Sequence, residues 1–203
     1  RWSLDVAAER LATPELTAAT IEITGGGAAA DLDDPQKRRV DFTLSGGSRG
    51  LAFTDPALGT AVGGEATFSG SGRWTAGAPL AIDALKLATP TVEATFAGKV
   101  EDGRIEGRPV LKAASLAPFS GLAGRPLKGS ADIAAEGTLT PLTGAFDLTL
   151  DGNAGDLSAG IAQLDGLLTG QTRLTGAIAR HTDGLKFRAL GVANPALTRP
   201  PDR

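Results

Sequence analysis

The chain has 203 residues, with 20 Lys and Arg against 23 Asp and Glu, for a net charge of −3. It has no Cys, which excludes disulfides and thiolate metal sites. It is 41% hydrophobic, too apolar for a disordered chain, and it lacks the basic excess that a nucleic-acid-binding surface needs.

Aromatic residues make up only 4% of the chain, so thick packing between layers is excluded as well. The 28 Gly and 12 Pro point to many short strands joined by turns. No apolar run approaches the ~18 residues that a membrane helix requires.

Taken in order along the chain, the first element is "RWSLDVA", where Trp2, Leu4 and Val6 alternate with polar residues. "TIEIT" sets Ile21 and Ile23 opposite Thr20, Glu22 and Thr24. The "GGG" at Gly25 to Gly27 reads as a flexible loop, because no Lys-Ser/Thr and no ribose-binding acid follows it. "DLDDP" and the cluster Lys37, Arg38 and Arg39 read as a solvated loop. "VDFTLSG" alternates again, with Val40, Phe42 and Leu44 on one side.

"FTDPALGTAVGGEATFSG" from Phe53 reads as a short apolar helix, a glycine at Gly64, and a strand. Two later stretches have the same form, one from Ser115 with Gly124 and one from Ala159 with Gly170. Glycine there suits the left-handed residue that ends a helix. "EDGR" at 101–104 and "HTDG" at 181–184 are hairpin turn signals. "AFDLTLDG" sets Phe146, Leu148 and Leu150 opposite Asp147, Thr149 and Asp151, and "LKFRA" pairs Leu185 with Phe187. A second phrase recurs as "LATPELTA", "LATPTVEA" and "VANPALT", and each proline should start a strand or sit at an edge.

Strict alternation implies strands with one dry and one wet face, and therefore antiparallel pairing. The fold class is mostly all-β: an elongated, curled antiparallel sheet, a U-shaped trough of solenoid-like character, with a few short helices packed on its apolar face. Residues 1–203 read as one continuous section, with weak units near 1–52, 53–114, 115–158 and 159–198 and a linker at 199–203. The start at Arg1 and the ending "RPPDR" read as a piece of a longer protein.

Catalytic chemistry finds no foothold. His181 is the single histidine and falls in a turn, where no enclosed base geometry forms. "DLDDP" and "DGNAGDLS" at 151–158 echo calcium loops, but a bidentate Glu at the right distance is missing, so both read as plain turns. The acidic pairs Asp33 with Asp34 and Glu101 with Asp102 lie in polar turns that would not split their pKa values. The expectation is a non-enzyme without metal or cofactor.

What remains is an apolar face, read as a groove lined by Ile21, Ile23, Val40, Phe42, Leu44, Phe68, Ile82, Val92, Phe96, Ile133, Phe146, Leu148, Leu150, Leu174, Ile178 and Phe187. Either these residues close a sandwich, or the face stays open to bind a lipid tail or an unfolded strand.

The phrases "LAGRPLKGSADI", "LTGAFDLTLDG" and "LLTGQTRLTGAIAR" with "GLKFRALGVANP" resemble the repetitive region of TamB-type proteins of the AsmA-like superfamily, most strongly over 80–198. The resemblance implies a middle section of an inner-membrane-anchored protein that crosses the periplasm of a Gram-negative cell. It implies a β-trough that shields apolar cargo in outer-membrane biogenesis and protein secretion. The cargo would be segments of outer-membrane proteins or autotransporters, or phospholipid. The implied partner is a TamA-like outer-membrane barrel of the Omp85 class, engaged through a part of the protein outside this chain. The alternative expectation is a secreted β-rich structural or adhesin-like protein with a closed core.

Overall fold

The computed structural model describes residues 1–161, 165–166, 168–181 and 184–194. The strands are β1 (Trp2–Ala12), β2 (Leu16–Ala30), β3 (Arg39–Arg49), β4 (Ala52–Phe53), β5 (Glu65–Thr75), β6 (Leu80–Ala88), β7 (Glu93–Glu101), β8 (Arg104–Ala113), β9 (Lys128–Thr140), β10 (Ala145–Ser158), β11 (Gln171–His181) and β12 (Gly184–Ala193). All twelve belong to one antiparallel sheet that does not close. Its order follows the chain from β1 to β12, except that β4 pairs with the start of β2. Every neighbour pair is therefore a hairpin or a hairpin with a longer connection.

Those longer connections hold the helical pieces. In α1 (Pro56–Val62), the Asp55 carboxylate accepts the Ala57 N–H at 2.8 Å, and Pro56 takes the first position, where it costs no hydrogen bond. Gly63 ends α1 with φ 86, so the positive-φ role falls one residue before Gly64. A 3₁₀ turn (Ala117–Phe119) leads into α2 (Ser120–Ala123), which Gly124 closes in the left-handed region at φ 63. α1 packs on α2, on the 3₁₀ turn and on β4, and the Thr91 hydroxyl donates to the Ala61 carbonyl. The helical stretch expected from Ala159 falls largely outside the described residues.

The recurring "LATP" phrase is a recurring turn. Thr13 Oγ1 accepts from the N–H groups of Glu15 and Leu16, and Thr89 Oγ1 accepts from those of Thr91 and Val92. Each threonine thus stitches a hairpin, β1 to β2 and β6 to β7. Pro14 and Pro90 sit inside these turns, and the strands begin two or three residues later, at Leu16 and Glu93. The third copy, at Pro195, lies outside the described residues. At 101–104 the chain turns through Asp102 (φ 47) and Gly103 (φ 75), the paired left-handed residues that a two-residue hairpin needs.

One segment read as a flexible loop and one read as a turn are strand. Gly25 to Gly27 lie in the middle of β2, and 151–158 form the second half of β10. In both, the absence of alternation hides the strand, because glycine and alanine carry no polarity signal. Asp156, at φ 49, marks a bulge where β10 spends one more residue than β9.

Packing is thin, as expected. Among the described residues the buried apolar ones are all alanines, at 18, 61, 113, 154 and 179, and the largest fully buried side chain is Thr172. Among the described residues no second sheet covers either face.

Candidate functional site: a continuous apolar face

Sheet register decides which side chains share a face, because paired residues point the same way. Following the pairs from Trp2 gives Gly27, Phe42, Gly72, Ile82, Gly98, Gly107, Gly137, Leu148, Ile178 and Phe187. This row crosses every strand on the main path of the sheet. Four residues along each strand from that row, or five where β6 and β12 bulge, Val6 leads through Ile23, Gly46, Phe68, Leu87, Ala94, Leu111, Ile133, Gly152 and Leu174 to Val192. Between these rows lie Leu4, Gly25, Leu44, Gly70, Leu85, Phe96 and Pro109, and further on Leu150, which pairs with Ala135 and Gly176.

Twelve of the sixteen residues read as groove lining fall in these rows. Three more flank them on the same face. Ile21 pairs with Ala8 and Ser48, Val40 with Ala29 and Trp74, and Phe146 with Leu139 and Arg180. Val92 lies in the turn just before β7, its carbonyl accepting the Thr89 N–H at 2.9 Å. At strand spacing the three rows form a strip roughly 48 Å long and about 13 Å wide.

The glycines in these rows are places where large neighbours lie down. A Cβ on Gly72 would stand 2.7 Å from the Phe42 ring, and one on Gly46 would stand 2.8 Å from the Phe68 ring. Phe96 covers Gly98 and Gly107 together, at 2.7 Å from either added Cβ. Trp2 lies against Gly27 in the same way, with its indole Nε1 buried and unpartnered. Rings that lie over glycine keep the face shallow while shielding bare backbone.

Sequence reading missed Leu85, Leu87, Leu111, Leu139 and Trp74 on this face. In β6 the cause is a bulge: Ser71 pairs with Ala84 and Gly72 with Ile82, so Asp83 is an extra residue. Simple alternation from Ile82 therefore runs out of phase, although "ALKLA" by itself carries the correct pattern.

The opposite face is polar and cross-linked strand to strand. Asp41 on β3 holds Arg73 on β5, Lys99 on β7 meets Glu106 on β8 at 3.4 Å, and Lys112 on β8 meets Asp132 on β9 at 3.1 Å. Asp151 accepts two bonds from Arg173, and Asp147 reaches across β11 to Arg188. The Arg73 hydrogen bond, with help from Arg39, holds the Asp41 carboxyl below its ordinary range, and Asp151 raises Arg173. A hollow of about 810 Å³ lies on this polar side, lined by Thr24, Thr43, Ser45, Ser69, Ser71 and Lys86 among others. Asp83 and Arg108 also line it, so it offers hydroxyls together with one carboxylate, one ammonium and one guanidinium group, and Leu44, Leu85 and Phe96 border it.

His181 stands at the end of β11, paired with Gly184 across the hairpin; 182 and 183 lie outside the described residues. Among the described residues no group of three or more His, Asp or Glu is placed to hold a metal ion, and no helix is long and apolar enough to cross a membrane. No family model, no curated protein and no solved structure matches the chain.

Proposed function

We propose that this chain is a non-catalytic section of a periplasm-spanning, inner-membrane-anchored translocation and assembly subunit of the TamB type. It shields apolar cargo, either phospholipid or segments of outer-membrane proteins, in a trough formed by curling of the sheet. The short helices pack at the margin of that trough. A TamA-like barrel is engaged by another part of the same protein. The carrying observation is the row from Trp2 to Phe187, apolar or glycine on every strand of the main path and, among the described residues, covered by no second layer. A surface of that extent, left open to water, favours an apolar ligand. The closed-core alternative has no comparable support, because the sheet is single and open.

The test is photocrosslinking at neighbouring positions of β10. A probe replaces Leu148 in one chain and Thr149 in the other, on opposite faces. Phospholipid vesicles and a denatured outer-membrane protein are offered separately. Crosslinks at 148 but not at 149 are expected with at least one cargo, and Leu148→Asp should abolish binding in a folded chain. Equal labelling at both positions, or none with either cargo, overturns the reading.

A further inference from the structure

One charged side chain stands on the apolar face. Near the short hairpin turns, sheet register aligns Leu80, Val100, Ile105, Leu139 and Phe146 with Arg180 on β11. This row lies two residues along each strand from the row of Ile82, Leu148 and Ile178, so its side chains point the same way. Among the described residues Arg180 is the one ionisable group in the rows of this face.

The position of its guanidinium is set by the turn between β9 and β10. A Cβ on Gly144 would stand 3.9 Å from one guanidinium nitrogen, so the side chain runs along the face past Phe146 and holds its charge at the rim. The stem stays on apolar surface while the head reaches water. The carboxylates that answer the other arginines of this region lie on the opposite face, where Asp151 holds Arg173 and Asp147 reaches Arg188. Among the described residues no carboxylate pairs with Arg180.

We infer that Arg180 binds the anionic head of an acyl amphiphile whose chains lie on the apolar rows beside it. The inference rests on the shielding of apolar cargo proposed above and names the chemistry of that cargo. A guanidinium presents a planar fork that meets phosphate or carboxylate oxygens with two parallel hydrogen bonds. The rows beside it on β9 to β11 offer aliphatic and aromatic side chains and glycine, and the strand backbones there are bonded in their ladders. An extended polypeptide lying on those rows would leave its own N–H and C=O groups without partners, a cost that an acyl chain does not carry. One charged group at the rim of a wide apolar strip therefore fits a ligand with one charged end.

Photoactivatable phosphatidic acid and diacylglycerol with the same acyl chains, presented in nonionic micelles, test this, because they differ only in the phosphate. Phosphatidic acid should label the native chain about tenfold more strongly, at peptides from β9, β10 and β11. Arg180→Gln should bring that labelling down to the level of diacylglycerol. Arg180→Lys, which keeps the charge without the fork, should restore part of it. Arg173→Gln makes the same change of net charge on the opposite face and should leave labelling unaltered. Arg180 is exposed, and circular dichroism checks that each variant keeps its strands. Inorganic phosphate at the concentration of the lipid should not compete, since it has no chains; competition would show a simple anion site and overturn the inference. Equal labelling by both lipids, or labelling indifferent to Arg180→Gln, overturns it too and leaves the shielding of apolar cargo standing. No labelling by either lipid removes lipid as the cargo, and the inference with it.

Discussion

Phe42 and Gly72 show how a single residue shapes this protein. The ring needs the space that any side chain at position 72 would fill, since a Cβ added there would stand 2.7 Å from it. Gly72→Ala should destabilise by about 1–3 kcal/mol through this overpacking. Gly59, inside α1, meets nothing within 4 Å, so Gly59→Ala should be neutral or stabilise by up to ~1 kcal/mol. Urea titration of both variants separates the cases; equal effects would mean that glycine in the rows is not there for packing. The alternating aliphatic and aromatic residues were legible from period two alone. The glycines beside them were not, because their role depends on a ring from another strand.

At the scale of elements, hairpins carry the structure. Local chemistry announces several of them: Asp102-Gly103, the paired threonine turns at 13 and 89, and the Asp55 cap. Strand-to-strand ion pairs then tie neighbours that lie far apart in sequence, as Asp41 on β3 does with Arg73 on β5. The folded carboxyl of Asp41 lies below its unfolded value, so the folded state favours its ionised form. That contribution is fully present above the unfolded value of about 4 and is lost as pH falls through the folded one. Native chain and Asp41→Asn should therefore differ in stability above pH ~4 and converge below it. Denaturation midpoints between pH 2 and 7 would reveal this, and parallel curves would show that the β3–β5 pairing does not depend on the ion pair.

The whole molecule is a ribbon of strands, not a globule around a core. Each strand packs on its neighbours in the sheet, and among the described residues the buried apolar ones are all alanines. Stability in such an array is a sum of nearest-neighbour terms, and opening starts where a neighbour is missing. Hydrogen exchange should accordingly be fastest at β1 and β12 and slowest in the central strands. A single exchange rate for all strands would instead indicate one cooperative unit. The same lack of a second layer leaves the apolar face available, which ties the architecture to the proposed shielding of cargo.

By itself the sequence determined the strand-rich antiparallel class, the alternation of apolar and polar residues along most strands, and several of the turns. These follow from local rules: alternation of period two, turn residues with positive φ, and side-chain caps. Tertiary structure alone decided that Gly25 to Gly27 and 151–158 are strand, because glycine and alanine take their conformation from the ladders beside them. It also decided the register that merges separate strands into rows crossing the entire sheet, and the bulge at Asp83 that brings Leu85 into them. The openness of the sheet belongs to this second group. Whether an apolar strip closes on itself depends on contacts between distant strands, and no local pattern encodes that.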